Sequence, residues 1–195
     1  MKKVEILGTS PLTNPQYIKT ELITFTRDGK EFTWEKLTTH DSVHVLIVNT
    51  DNEEVLIVKQ IRIPILVNDD SQQGEMHEIC AGLVDKDAPL EQITKEEILE
   101  EVGYNVPLER ITHIRNVKGG AGRSGHESYL YYTLVNNAMK VSEGGGLENE
   151  DIEVVSIPYT EIKDFLNGGL HTDTVTLYLL AHFLINKEEI LLGIN

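Results

Sequence analysis

Hydrophobic and polar positions predict strands through most of residues 21–81, as β-prone runs separated by turn residues. Residues 21–37, ELITFTRDGKEFTWEKL, are two β-prone runs around Asp28-Gly29, a dipeptide favoured in tight hairpin turns. Residues 42–49 (SVHVLIVN) and 55–63 (VLIVKQIRI) form a second pair joined by TDNEE. In the second run Gln60 and Arg62 share one face while Ile61 and Ile63 share the other. Residues 64–74 read as a connecting loop, and residues 75–81 as a strand that carries Glu78. The period then changes. Pro89 suits the first turn of a helix, and no further breaker follows until Gly103, a natural C-terminal stop. Strand patterns return at 110–118, 127–135 and 152–157, and two helices close the chain at 160–167 and 172 to about 187. The last helix is apolar on most sides and is expected to be largely buried. Hairpin, central strands, helix, more strands and a terminal helix make an α+β plan with a mixed sheet between helices.

The helix at 89–103 carries the first candidate chemistry. At about 100° per residue, Glu97, Glu100 and Glu101 fall within a sector of roughly 100°, while Ile98, Leu99 and Val102 point away. Such a cluster is ordinarily a solvated acidic face. Like charges at this spacing disfavour a helix by a few tenths of a kcal/mol per pair, so a bound cation would account for them better. The preceding HEICA run and Gly82 turn would bring the backbone carbonyl of Ala81 within reach of the same carboxylates. Hard oxygen ligands of that kind suit Mg²⁺ or Mn²⁺.

Composition narrows the choices. The 195 residues suffice for one domain with a sizeable core, or one domain (41–195) plus an N-terminal β region (1–40). A formal charge of −15 argues against nucleic acid or an anionic membrane as partner, and makes an anionic substrate dependent on divalent cations. The single cysteine, Cys80, excludes an internal disulfide and lies in an apolar strand, where a buried inert thiol is expected. The seven histidines show no zinc-ligand spacing. No signal-like apolar segment or 18-residue apolar run is present, so the expected location is cytoplasmic.

Other candidates have two readings each. Trp34 either packs within the hairpin or at a dimer contact, or stacks on a base. Arg62 needs an anion; Glu78 is either that partner or part of a site. GGAGRSG (119–125) formally fits G-x-G-x-x-G from Gly120, but a strand follows it instead of a helix, so a dinucleotide fold is not expected. A mobile glycine loop with Arg123 as a phosphate contact remains. Gly144 to Gly146 form a flexible arm before Glu148, Glu150 and Asp151, which are either a solvated acidic loop or a means of delivering a general base.

Residues 82–104 resemble the box of the Nudix hydrolases, G-x5-E-x7-R-E-U-x-E-E-x-G-U with U a bulky aliphatic residue. Gly82, Glu97, Ile98, Glu100, Glu101 and Gly103 match, and Tyr104 takes the last position. Ala88 and Glu96 stand where the family has a Glu and an Arg that brace the loop against the helix, so that brace is expected to be missing. THDSV (39–43), VKQIRIP (58–64), CAGLVD (80–85) and GGGLENEDIEV (144–154) extend the resemblance to the nucleoside-diphosphate-sugar pyrophosphatases. Among these the chain is most similar to the UDP-sugar (UDP-glucose) group, with GDP-mannose and ADP-ribose pyrophosphatases as near relatives. The resemblance implies an α/β/α sandwich and Mg²⁺-dependent hydrolysis of the diphosphate link to a nucleoside monophosphate and a sugar 1-phosphate. It implies metal ligands Glu97, Glu100, Glu101 and the Ala81 carbonyl. Glu148 would be the base, Glu150 a further ligand and Arg62 a phosphate clamp. It also implies a homodimer in which Trp34 reaches the partner's site. A nucleotide-sugar binding module without turnover is the alternative that the two departures favour.

Overall fold

In the computed structural model, which describes residues 4–69, 71–147 and 150–193, Asp28 and Gly29 both take left-handed backbone, φ 51° and 75°. That geometry matches the twist of the flanking strands. It pairs β1 (Lys19–Arg27) with β2 (Lys30–Thr38) residue for residue. The hairpin is a two-stranded sheet of its own, separate from the seven-stranded sheet formed by β3 (Ser42–Asn49), β4 (Glu54–Ile61) and the later strands.

β3 and β4 pair only near their shared turn, Ile47 with Leu56 through Asn49 with Glu54, and then diverge. The segment expected as one strand at 75–81 closes the fork by crossing it. It divides into β5 (Glu75–Glu78), paired with β4, and β6 (Cys80–Leu83), paired with β3. Ile79 is the corner, buried on one side and held by a bond from its N–H to Thr176 Oγ1 at 2.8 Å. A strand cannot serve both sheet halves without such a break, which period-two alternation does not reveal. Between β4 and β5, helix α1 (Ile63–Asn68) replaces the expected loop; Arg62 is its N-cap residue and Pro64 sits in its first turn.

Helix α2 (Leu90–Glu97) leads to β7 (Ile111–Lys118) and β8 (Glu127–Val135), an antiparallel pair, and β8 lies parallel to β3. β9 (Glu153–Pro158) lines β4, followed by α3 (Ile162–Asn167) and α4 (Thr174–Leu192). The sheet is therefore mixed, as expected. α4 runs past the expected end near 187, with a kink at Asn186 (φ −112°). Among the described residues no helix is long and apolar enough to cross a membrane.

Alternation along β3 sorts the core into two layers. Val43, Val45 and Ile47 pack with Ile93, Ile98 and Val102 on the α2 side. Leu46 and Val48 pack with Leu179, Leu180 and Phe183 on the α4 side. Full burial of such side chains stabilises the fold by about 1.5–3 kcal/mol each. The consequence for function is positional: α2 is pressed against β3 and β6, and its polar face looks out over the open end of the fork.

Candidate active site

Helix α2 does not simply stop at Gly103. From Ile98 to Val102 it widens into a π-helical turn, which Gly103 ends in left-handed backbone (φ 77°). π-turns of this kind frequently fall at functional sites. Here the widened turn holds Glu100 and Glu101, with Glu97 just before it.

Glu101 is 5 % exposed, and its Oε2 accepts a hydrogen bond from the Ala81 N–H at 3.1 Å. Burial pushes its carboxyl up to about 7, against stabilising bonds from Cys80 and Ala81. Cys80 is fully buried and raised well above its ordinary range, chiefly by burial and then by Glu101. A thiol in that setting is not a nucleophile. Glu97 lies directly over Gly82, where a Cβ would come within 2.0 Å of Glu97 Oε1. This glycine is the one residue that lets the carboxylate approach β6. Burial, then the charges of Glu101, Glu100 and Glu150, raise Glu97 to about 8, and Lys86 partly offsets them.

Glu97 and Glu101 line a cleft of about 430 Å³ that also takes in Glu150, Asp85, Ala81 and Gly82; Glu100 is not among its lining residues. Gln60 and Arg62 stand on its β4 side, with Ser42 and His44 at its floor. Arg62 Nε donates to Glu78 Oε2 at 2.8 Å, so of the two readings of Glu78 the structure has it as the partner of Arg62. Burial raises Glu78, and the arginine counters it.

The glycine arm differs from its expected role as a free hinge. All three glycines are left-handed, φ 71°, 109° and 80°. The arm is docked on the end of the box helix: Gly145 N–H donates to Glu101 O at 2.9 Å and Gly146 N–H to Glu100 O at 3.0 Å. Two carbonyls that a helix end leaves unpaired are satisfied in this way. The same contacts fix where the acidic loop begins and bring Glu150 into the cleft, its Oε2 accepting from Leu147 N–H at 2.8 Å. Glu148 lies outside the described residues.

The expected absence of a loop brace is also corrected. Ala88 packs on the core, and Glu96 is paired with Lys86 of the loop and accepts from Gln92 Nε2 at 2.6 Å. A brace therefore exists with its charges reversed. The loop end of the brace, now positive, sits at Lys86 and not at 88, a shift that a fixed motif position does not reveal.

Trp34 and Arg123 are not among the residues lining the cleft. Trp34 Nε1 donates to Gly122 O at 2.9 Å and Leu37 N–H to Arg123 O at 2.9 Å, so the hairpin pins the glycine loop at 119–125. Arg123 lines a different cavity with Glu21, Glu35 and Lys36. Sequence reasoning passed over Ser42, His44 and Asp85. Ser42 lies in THDSV and Asp85 in CAGLVD, but neither is marked by residue type. His44, bonded through Nε2 to Ser42 Oγ at 2.9 Å, is lowered by burial to about 4 and is neutral at pH 7.

The donor set is made of oxygen atoms, and the two most buried carboxylates are costly to ionise without a counter-cation. Both properties fit Mg²⁺ or a similar hard ion. Among the described residues no three acidic, imidazole or thiol groups already form a cage.

A mixed sheet between helices, with a carboxylate-lined helix end facing a cleft, suits an enzyme that opens phosphorus anhydrides. The NUDIX domain model matches residues 38–176, and the chain belongs to that family. It is 34 % identical to GDP-mannose pyrophosphatase of Cronobacter sakazakii over 71 % of this chain and 70 % of that protein. It is 29 % identical to GDP-mannose pyrophosphatase of an Enterobacter species over 94 % and 96 % of the two chains. It is 27 % identical to uridine diphosphate glucose pyrophosphatase NUDT14 of Bos taurus over 85 % and 86 %.

Proposed function

We propose that the protein hydrolyses the diphosphate bond of a nucleoside diphosphate sugar, UDP-glucose foremost, releasing nucleoside monophosphate and sugar 1-phosphate in the cytoplasm. The observation that carries this reading is the convergence of Glu97, Glu101 and Glu150 with Arg62 on one cleft. The relatives named for UDP-glucose and GDP-mannose pyrophosphatase activity support the substrate class.

Glu97, Glu100, Glu101 and the Ala81 carbonyl would hold Mg²⁺, or Mn²⁺. When bound, the ion supplies charge neutralisation and polarises the phosphoryl oxygens. Arg62, oriented by Glu78, clamps a non-bridging phosphate oxygen. Glu148 takes the proton from the water that attacks phosphorus in line, and Glu150 adds a carboxylate to the metal set. The bridging P–O bond breaks, and the leaving phosphate carries off its electron pair.

The hairpin exposes Leu22, Ile23, Phe32 and Trp34 on a two-stranded sheet, which is marginal by itself in water. A second copy of the chain is the partner that covers it, and Trp34 then stacks on the base in the partner's site. Arg123 adds a phosphate contact from the glycine loop.

The test is kcat/KM on UDP-glucose, GDP-mannose and ADP-ribose with Mg²⁺, following release of the sugar 1-phosphate or ribose 5-phosphate. UDP-glucose is expected to rank first. A hundredfold preference for ADP-ribose would overturn the choice of substrate but not the reaction. Binding of all three without turnover would favour a binding module.

A further inference from the structure

Ser42 and His44 are shared by two cavities. One is the carboxylate cleft; the other, about 560 Å³, lies between the sheet and the N-terminal turns of α4. Its remaining walls include Ser128 and Leu130 of β8, His126, and Asp173 and Tyr178 of α4. A substrate whose diphosphate lies in the cleft can extend one of its two organic halves past Ser42 and His44 into the second cavity.

The chemistry of the second cavity rejects a phosphate. Asp173 caps α4 with its own carboxylate, Oδ1 accepting from Thr176 N–H at 2.6 Å, so the helix end is already supplied with an anion. Lys118, the cation on its rim, is paired with Glu127. What remains are hydroxyls and imidazoles, groups that both donate and accept. Ser42 Oγ lies 2.9 Å from His44 Nε2 and 3.2 Å from the buried Ser128 Oγ. His126 Nδ1 lies 2.9 Å from Ser124 Oγ. A hydroxyl-bearing ring, whose every OH gives one hydrogen bond and receives others, is the natural complement. A carboxylate such as Asp173 has acceptor capacity beyond its cap bond.

The glycine turn completes the wall. A Cβ on Gly119 would meet the His126 ring at 2.1 Å, so the turn closes tightly on that imidazole. The turn is held from outside by Trp34 and Leu37 of the hairpin. The cavity is thus built in advance, with its rim fastened to the N-terminal hairpin.

We propose that this cavity is the subsite for the glycosyl half of the substrate, read by Asp173, Ser128 and His126. The assignment rests on the nucleotide-sugar reading above, and it is tested by binding as well as turnover. Asp173→Asn keeps the helix cap, since Asn caps as well as Asp. Titration of glucose 1-phosphate and of UMP, each with Mg²⁺, into wild type, Asp173→Asn and Ser128→Val separates the two halves.

The expected result is a roughly tenfold or larger loss of glucose 1-phosphate affinity in both variants, with UMP affinity unchanged within about twofold. KM for UDP-glucose should rise while kcat is retained. If UMP loses affinity instead, or if neither product does while the variants keep the wild-type Tm, the subsite assignment is overturned. A protein that turns over no nucleotide sugar, yet loses glucose 1-phosphate binding in Asp173→Asn, would refute the proposed reaction and leave the subsite standing.

Discussion

Removing divalent cations at alkaline pH is the sharpest perturbation of this site. Glu97 is pushed up to about 8 and Glu101 to about 7, against an ordinary 4.5 for each, because burial opposes their charge, with repulsion from neighbouring carboxylates added. Each pH step crossed with the proton held costs the anion about 1.4 kcal/mol. Between pH 5.5 and pH 8 these two groups therefore cost the fold on the order of 3–5 kcal/mol, solvent at half-buried Glu97 screening part of the effect. In the unfolded chain both groups titrate near 4.5, so the native state binds more protons throughout the interval up to 8. The stability they allow is complete below about pH 4.5 and is lost as pH rises through 7 and 8.

In EDTA the melting temperature should fall from pH 5.5 to pH 8 by roughly 10 °C, at about 2–4 °C per kcal/mol for a chain of this size. Mg²⁺ should raise it, and more at pH 8 than at pH 6, because the ion competes with those two protons. Glu97→Gln and Glu101→Gln should each flatten the EDTA profile and shrink the Mg²⁺ shift. A metal-free profile that is level across this range, or one equally steep in both variants, would refute the argument.

Three further outcomes follow from particular contacts. Gly82→Ala places a Cβ 2.0 Å from Glu97 Oε1 and should weaken Mg²⁺ binding at least tenfold by calorimetry; in a Glu97→Ala background the same change should add nothing further. Lys86→Glu should raise the Mg²⁺ concentration for half-saturation about two- to fivefold, as expected for an exposed ion pair, and Lys86→Glu with Glu96→Lys should recover most of that loss. Gly144→Ala combines left-handed backbone (φ 71°) with a Cβ 2.3 Å from the Glu101 carbonyl oxygen, and should lower stability by about 2–3 kcal/mol in denaturant titration. The same variant should lose turnover through displacement of Glu150.

The chain by itself determined most of the elements and the face on which three glutamates lie, because those depend on local period and on breakers such as Asp28-Gly29, Pro89 and Gly103. The box spacing carried the family. Contacts distant in sequence decided the rest. Only the fold shows that residues 75–83 cross between sheet halves, that Gly145 and Gly146 cap the widened helix end, and that Lys86 restores the brace with inverted charge. Only the fold shows that Ser42 and His44 join two cavities, since the side chains that meet there come from β3, β8 and α4, far apart in sequence. A carboxylate's position on its helix is local information. Its burial, its counter-charges and the space in front of it belong to whatever the rest of the chain brings near, and those set its chemistry.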